Sequence, residues 1–403
     1  MTLYAYLPGR DRRGMRLDGV RVLDLSQLLP GPYATQLLAD AGADVIKVET
    51  VDVGDGARYS PPQTEGGVGA LFDAVNRGKR SVALDLKDEA GHEAFMQLAE
   101  TADVIFEQFR PGVVDRLGVD YESVRERNDD IVYCSLTGFG QAGPHEDRVG
   151  HDLNYIGMAG LLDMTREDPE MAPQIPGYPV ADMAGGLLSA FGIVGALASR
   201  ELGNTGGEYV DVAMTDIILS FSQAVAHEGL TGGDPRPGAT TLSGGLPWYD
   251  VYETADGEYV TIAALEPKFW ETFCEAVGRE DLVDSHTTDD PAELAAVREE
   301  LAGVFAGKTR AEWEAELGDV EAMVAPVRTP AEAYESDHVA ARDLVDRSTD
   351  TPRVGFPVHS SESADSAEAG PPGHGADTRD LLSAAGYDEE ELDRLAEEGV
   401  LGG

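Results

Sequence analysis

Residues 19–49 read GVRVLDLSQLLPGPYATQLLADAGADVIKVE, and this stretch decides the fold. Its first part, GVRVLDLS at 19–26, is rich in branched apolar residues and is typical of a buried strand. PYATQLLADAG at 32–42 has the apolar spacing of a helix and ends on glycine, a common helix stop. ADVIKVE at 43–49 is a second strand-like run. The order strand, helix, strand predicts a βαβ unit with parallel strands.

The same alternation continues as far as residue 140. Further strands are predicted at 81–87, 103–109 and 130–140, with helices at 89–102 and 113–127 between them. This pattern predicts an α/β fold whose large domain contains a doubly wound parallel sheet. The first strand-to-helix turn, SQLLPGPYA at 26–34, has no G-x-G-x-x-G sequence, so a nicotinamide-type dinucleotide site is not supported.

The composition changes after two further helices at 183–201 and 215–229. WYDVYETADGEYVTIAAL at 248–265 predicts a β-hairpin that turns at Asp256 and Gly257, and two helical stretches follow it. We therefore predict a second, smaller α+β domain. The predicted bounds are 15–217 plus 346–403 for the large domain, 246–330 for the small domain, 218–245 and 331–345 for the linkers, and 1–14 for an N-terminal extension.

The charge balance limits the possible partners. The 403 residues include 75 acidic and 30 basic side chains, for a formal net charge of −45. Such a surface repels nucleic acids and anionic membranes, so neither is an expected partner. The acidic residues are spread along the whole chain, which predicts a solvated shell suited to a salt-rich cytoplasm and unstable at low salt.

Targeting and metal signals are absent from the sequence. No apolar run is expected to reach the roughly 18 residues that a membrane helix needs, and the N-terminus has no signal-peptide core, so we expect a cytoplasmic protein. Cys134 and Cys274 are too few to indicate a disulfide framework or a metal site.

Three side chains are candidates for acid–base chemistry. His151 follows Gly150 in the loop after the last predicted strand of the sheet, where α/β proteins tend to bind ligands. Asp182 directly precedes a long apolar helix, and Glu266 precedes a proline at another helix start, so each has an ordinary role as a helix cap. The local sequence leaves structural and catalytic roles open for all three.

A resemblance then adds what local reasoning does not supply. LDGVRVLDLSQLLPGPYATQLLADAGADVIKVE, GKRSVALDLK, FRPGVVDRLGV, LTGFGQAGP, GHDLNYIGMAGLL, ADMAGG and ADGEYVTIAALEPKFW together resemble the family III CoA-transferase superfamily, the CaiB/BaiF type. The likeness runs in order from about residue 16 to the C-terminus. Within the superfamily, GHDLNY and ALEPKFW are most similar to the α-methylacyl-CoA racemases.

The resemblance implies an interlocked homodimer and a two-base racemase. His151 and Asp182 would be the two bases, Glu266 would support the histidine, and backbone N–H groups near Met183 would hold the enolate oxygen. In the alternative, a CoA-transferase, Asp182 is the nucleophile that carries CoA as a thioester. A non-catalytic acyl-CoA-binding protein is a third possibility, but it has no need of all three side chains.

The resemblance also implies where CoA binds as part of the acyl-CoA substrate, with no separate cofactor. The matching positions are Leu84, Lys87, Gln108, Phe109, Arg110 and Arg116, together with Tyr155. The three cations suit phosphate groups, and the alternative is that they form ordinary surface ion pairs. Leu153, Tyr155 and Met158 indicate an apolar, branched acyl group.

Two positions depart from the family pattern. Thr50 stands where an arginine is common, so we expect Arg58 or another group to replace that arginine. Tyr178 stands where racemases usually carry an asparagine, so hydrogen bonding around the thioester would differ.

Overall fold

The computed structural model describes residues 16–347, 351–360 and 370–403. The extension predicted at 1–14 lies outside these residues. The strands in the described residues are β1 (Arg21–Asp24), β2 (Asp44–Glu49), β3 (Arg80–Leu84), β4 (Val104–Glu107), β5 (Val132–Thr137), β6 (Glu208–Ala213), β7 (Tyr249–Glu253), β8 (Tyr259–Ala263), β9 (Val324–Pro326), β10 (Val345–Asp346), β11 (Arg353–Val354) and β12 (Leu401–Gly402).

The helices of the same residues are α1 (Pro30–Asp40), α2 (Ala70–Val75), α3 (Glu89–Ala99), α4 (Val113–Leu117), α5 (Tyr121–Arg125), α6 (Asp152–Met158), α7 (Val180–Glu201), α8 (Met214–Ser220), α9 (Gln223–Leu230), α10 (Pro267–Ala276), α11 (Pro291–Phe305), α12 (Arg310–Leu317), α13 (Pro330–Tyr334), α14 (Asp337–Ala341), α15 (Thr378–Ala384) and α16 (Glu389–Glu397). Short 3-10 helices lie at Gly56–Tyr59, Asp163–Thr165 and Glu280–Thr287.

The large sheet has the order β12-β3-β2-β1-β4-β5-β6. Neighbouring strands from β3 to β6 are parallel, and β12 pairs antiparallel with β3. The predicted α/β fold with a large parallel sheet is therefore confirmed. The sequence analysis missed β6 and β12. In β6, exposed and buried residues alternate and include charged side chains, whereas β12 has only two residues.

The described chain divides into two compact units. The larger unit comprises the residues up to Ala159, Gly177–Leu219 and the residues from Ala340 onward, and the smaller unit comprises Gly160–Pro176 and Ser220–Val339. The smaller unit contains the predicted hairpin, β7 and β8, with β9 added antiparallel to β8. It also contains residues 220–245, which the sequence analysis assigned to a linker. The domain bounds drawn from the sequence stay a prediction.

Within the described residues, α7 is the one helix long and apolar enough to cross a membrane by length and composition. The sequence predicts this helix at 183–201, but the expectation that no apolar run approaches the length of a membrane helix is wrong. Glycine and serine residues interrupt the apolar run without making the helix polar. Half of its most apolar window is buried, and the helix packs against α1, β5 and β6. Core helices often have this character, so α7 is weak evidence for a membrane span.

Glycine allows α7 to pack directly on the start of α1. A Cβ atom at Gly186 would lie 2.5 Å from the Pro30 carbonyl oxygen, so a larger residue there would push the helices apart. Asp182 is one helical turn earlier, on the same face of α7. The close approach therefore brings Asp182 toward the turn between β1 and α1.

A network of buried ion pairs contacts the turn between β1 and α1. The Lys79 Nζ lies 3.1 Å from Asp24 Oδ2 and donates to the Pro32 carbonyl, and the Lys47 Nζ lies 2.9 Å from Asp55 Oδ2. All four charged side chains are fully buried. Burial opposes ionisation of Asp24, but Lys79 and Lys47 lower the pKa of this carboxyl to about 2. It is therefore ionised at neutral pH.

We expect Lys79→Met to lower the free energy of unfolding by about 3–5 kcal/mol, because it leaves the Asp24 carboxylate buried without its closest cation. Urea denaturation in a fixed high-salt buffer measures this change. Arg127→Met is the control, since Arg127 pairs with Glu93 at the surface and should cost less than about 1 kcal/mol. Equal losses in the two variants would contradict a structural role for the buried network.

Candidate active site

The order of the strands in the large sheet places the candidate site. The chain moves outward from β1 in one direction through β2 and β3, and in the other through β4, β5 and β6. In doubly wound sheets, ligands bind in the crevice at this switch point, beyond the carboxyl ends of the strands. Here the loops after β1, β4 and β5 border a cavity of about 520 Å³. We call it the catalytic cavity because two residues predicted to be catalytic, His151 and Asp182, line it. Its lining includes residues 28–30, 108–111, 136–139 and 148–151 with Glu146, Asn154, Tyr155, Asp182 and Met214.

His151 lines the catalytic cavity at the start of α6, and its side chain is exposed. Its backbone N–H donates to Asn154 Oδ1 at 3.0 Å, and the Asn154 N–H donates back to the His151 carbonyl at 2.8 Å. The buried Tyr155 hydroxyl donates to the Gly150 carbonyl at 2.5 Å. These bonds fix the backbone on both sides of the histidine. They give Tyr155 a positioning role, and its predicted contact with CoA stays a prediction.

Asp182 lies in the first turn of α7, which begins at Val180 after the N-cap residue Pro179. The prediction that Asp182 is itself the cap is therefore wrong. The cap comes from Asp152, whose Oδ1 accepts the backbone N–H groups of Ala181 at 2.6 Å and of Asp182 at 3.2 Å. Since another side chain satisfies the helix N-terminus, the Asp182 carboxylate is left to line the catalytic cavity.

The same bonds overturn the position expected for the enolate oxygen. Asp152 occupies the N–H groups of Ala181 and Asp182, and the Met183 N–H donates to the Pro179 carbonyl at 3.0 Å. These three N–H groups therefore already donate hydrogen bonds to acceptors within the protein. If an enolate forms in this cavity, its oxygen would need a donor other than these three N–H groups.

The electrostatic environment of Asp182 favours proton exchange near neutral pH. Burial and the neighbouring Asp152 raise the pKa of Asp182 to about 6, while His151 acts in the opposite direction. That value approaches the range in which histidine side chains ordinarily titrate. Asp182 and His151 thus line the same cavity and interact electrostatically.

Glu266 lies in the smaller unit, at the N-cap position of α10. The predicted position at a helix start is confirmed, but its side chain makes no capping hydrogen bond. Its carbonyl accepts the N–H groups of Phe269 and Trp270 instead. Its supporting role toward the histidine stays a prediction.

The residues expected to bind CoA line two cavities in the larger unit. Leu84, Lys87 and Arg116 line a second cavity of about 450 Å³, the strand-end cavity, beyond the ends of β1, β2, β3 and β4. Gln108 and Arg110 line the catalytic cavity, and Phe109 lines both.

The amide of Gln108 already has protein partners. Its Oε1 accepts the Gly31 N–H at 2.9 Å, and its Nε2 donates to the Gln27 carbonyl at 2.7 Å. Gln108 therefore ties the end of β4 to the turn after β1. This contact gives it a positioning role at the border of the catalytic cavity.

The cations that line the two cavities have no carboxylate partner among the described residues. In the part of the chain that the structure describes, no carboxylate lies within 4.0 Å of Lys87, Arg110 or Arg116. Among the described residues, the structure therefore shows none of the surface ion pairs that were the alternative for these three cations. In contrast, Arg127 and Arg279 on the outer surface each contact two carboxylates. Free cations in an acidic protein are well suited to phosphates or carboxylates of a ligand.

Arg58 does not replace the arginine that Thr50 lacks. Its guanidinium is buried and forms two bonds to the Glu49 carboxylate, at 2.9 and 2.6 Å. The group next to Thr50 is instead His374, whose Nε2 lies 2.8 Å from the Thr50 carbonyl oxygen. The expected substitution by Arg58 is wrong because the arginine is needed to neutralise a buried glutamate.

Of the three residues expected to face the acyl group, Tyr155 lines the catalytic cavity. Leu153 and Met158 are exposed and are not part of its lining. Asp152 and Arg148 belong to the site but were missed. Asp152 could have been noticed because it directly follows His151, and Arg148 because it is a cation three residues before His151 in an acidic chain.

Comparison with known proteins gives the family. The family model described as CoA-transferase family III matches residues 17–378. The chain belongs to this family. It is 38% identical over 341 residues to succinyl-CoA:mesaconate CoA-transferase of Haloarcula hispanica, covering 82% of this chain and 84% of that protein. It is 32% identical over 394 residues to α-methylacyl-CoA racemase of Homo sapiens, covering 96% and 98%.

A solved structure also matches this family III chain. The crystal structure of a CaiB/BaiF family protein from Brucella suis has a TM-score of 0.79 and 30% identity, covering 92% of this chain and 100% of that chain. The resemblance drawn from the sequence motifs is confirmed. The family contains both racemases and CoA-transferases, and this chain is similar to members of each kind.

We expect Asp182→Asn to raise the melting temperature at pH 7.5 by roughly 1–3 °C and to change it little at pH 4. The raised pKa of Asp182 means that folding favours its protonated form, so its stability cost is absent below pH 3.8 and complete above about 6. Scanning calorimetry of variant and wild type at both pH values measures this. Glu146→Gln is the control, because Glu146 lines the same cavity but is exposed. A destabilised Asp182→Asn at pH 7.5 would contradict the assignment.

Proposed function

We propose that this protein is a racemase that inverts the α-carbon of 2-methyl-branched acyl-CoA thioesters. The observation that carries the proposal is that the His151 side chain and the Asp182 carboxylate line one cavity and interact electrostatically. Inversion next to a thioester needs a group that removes the α-proton from one face and a second that returns a proton to the other.

In each direction of the reaction, one of the two side chains is the base and the other is the acid, according to their protonation states. In one direction, ionised Asp182 takes the α-proton and protonated His151 supplies one to the resulting enolate. In the other direction, neutral His151 is the base and protonated Asp182 is the acid. A pKa of about 6 for Asp182 supports both directions, because both forms of the carboxyl are accessible near neutral pH.

The free cations support an anionic thioester as the ligand. Lys87 and Arg116 in the strand-end cavity match the phosphates of CoA in charge, and Phe109 lies between this cavity and the catalytic cavity. We propose that CoA extends past Phe109, which would place the thioester toward His151 and Asp182.

A CoA-transferase is the second candidate. The similarity to succinyl-CoA:mesaconate CoA-transferase of Haloarcula hispanica favours it, as does the presence of Asp182 in the cavity. In that reaction the Asp182 carboxylate attacks the thioester carbonyl and CoA leaves as its thiolate, giving an acyl anhydride. The thiolate then attacks the aspartyl carbonyl, the acyl group leaves as a free acid, and Asp182 holds CoA as a thioester. The acceptor carboxylate reverses these steps.

We expect the enzyme to wash deuterium into the α-position of a single 2-methylacyl-CoA stereoisomer in heavy water, with no acceptor acid and an intact thioester. His151→Ala and Asp182→Ala should each lower the rate of racemisation by at least about 100-fold, because each removes one of the two bases. Proton NMR of the α-carbon follows the exchange.

A transferase would behave differently in the same variants. Asp182→Ala would abolish CoA transfer, while His151→Ala would retain much of it. Absence of deuterium incorporation with several branched acyl-CoA substrates, together with transfer from succinyl-CoA to a free acid through a hydroxylamine-sensitive intermediate, would overturn the racemase proposal.

We also propose that the protein forms a homodimer, as the family resemblance implies. The support lies in the larger unit, where large apolar side chains on α6 and α7 are exposed, among them Met158, Leu187 and Phe191. Phe191 is 74% exposed, which is unusual for a phenylalanine in a core-forming helix.

We expect wild-type protein at high salt to have twice the mass of one chain by light scattering, and Phe191→Glu to shift the population toward monomer, because a charge would oppose burial of this surface. Ala296→Glu on α11 is the control, because it adds the same charge at an exposed alanine outside this apolar surface. A wild-type monomer with full activity would rule out the proposed dimer.

A further inference from the structure

Arg148 is a cation of the catalytic cavity that the mechanism does not use. It lines the cavity with His151 and Asp182 and stands three residues before the histidine in the same loop. Among the described residues no carboxylate, Glu146 included, lies within 4.0 Å of its guanidinium. In a chain of net charge −45, a guanidinium without a carboxylate partner is available to an anion from outside.

Aromatic packing connects Arg148 to the loop that carries His151. The guanidinium carbon lies 6.0 Å from the centre of the Phe139 ring, within the range of a cation–π contact. Phe139 packs edge-on against Tyr155 with ring centres 5.3 Å apart, and Tyr155 holds Gly150. The guanidinium is therefore placed by the same aromatic pair that positions the catalytic loop.

The phosphates of CoA have other partners. Lys87 and Arg116 line the strand-end cavity, whereas Arg148 lines the catalytic cavity and not the strand-end cavity. An acyl chain ending in a methyl group would bring apolar surface against a free guanidinium and remove water from it without providing a partner. A carboxylate at the end of the acyl chain would instead accept two parallel hydrogen bonds from the guanidinium.

We propose that Arg148 binds a carboxylate on the acyl group, so that the substrate is the CoA thioester of a dicarboxylic acid. Arg148 is then a specificity-determining residue that separates these thioesters from those of simple fatty acids. The proposal rests on the proposed function only in requiring that an acyl-CoA occupy the catalytic cavity. It holds equally for a racemase and for a transferase.

The test uses two thioesters of equal chain length, succinyl-CoA and butanoyl-CoA, which differ by a terminal carboxylate in place of a methyl group. Calorimetric titration of the full-length protein at one fixed salt concentration gives both apparent dissociation constants. The same titration with Asp182→Asn, which cannot form a covalent intermediate with the thioester, checks that the preference arises from binding. Wild type should bind succinyl-CoA roughly 10- to 100-fold more tightly, the range expected for a charge-assisted hydrogen-bonded pair.

Arg148→Gln should remove this preference by weakening succinyl-CoA alone, and Arg148→Lys, which keeps the charge but not the planar fork, should retain part of it. Lys87→Gln is the matched control in the strand-end cavity and should weaken both thioesters by the same factor.

Three results would overturn the proposal. Wild type could bind both thioesters equally, Arg148→Gln could leave both unchanged, or it could weaken both alike, which would place Arg148 on the phosphates of CoA. Failure of wild type to bind either thioester would contradict the proposed function itself, and this proposal with it.

Discussion

The buried ion network at the ends of β1 and β2 is the constraint on which the site depends. Lys47 donates to the Ser26 carbonyl and pairs with Asp55, whose carboxylate accepts the Leu28 N–H at 3.1 Å. Leu28 has a φ of +66°, a conformation that costs free energy for a residue with a branched side chain. The hydrogen bond from the Leu28 N–H to the Asp55 carboxylate holds this conformation, in which Leu28 borders the catalytic cavity.

A further charged side chain, Asp152, connects the two proposed catalytic residues. Asp152 follows His151 and caps α7, so it connects the loop of one proposed base to the helix that carries the other. It also raises the pKa of Asp182, since two carboxylates at short range disfavour a second negative charge. One side chain thus provides both the geometry and part of the electrostatics of the pair.

The cations with a structural role differ from the cations that line the cavities in whether a carboxylate lies near them. Buried cations such as Lys79 and Arg58 are matched to buried carboxylates, and arginines on the outer surface such as Arg279 contact exposed ones. The cations that line the catalytic and strand-end cavities have no such partner among the described residues. In a strongly acidic protein this contrast marks the places where an anionic ligand would be held.

The sequence by itself determined the alternation of strands and helices, because hydrophobic periodicity and the glycine and proline at helix ends are local signals. It also determined the family, because motifs such as GHDLNY are short contiguous stretches that can be recognised in the sequence alone. It could not determine that Asp152 rather than Asp182 caps α7, since the cap comes from a residue thirty positions away in the chain. Nor could it show that Arg58 is buried against Glu49, while Arg148 has no carboxylate partner among the described residues. Which cations are neutralised depends on which carboxylates the fold brings within 4 Å, and only the tertiary structure decides that.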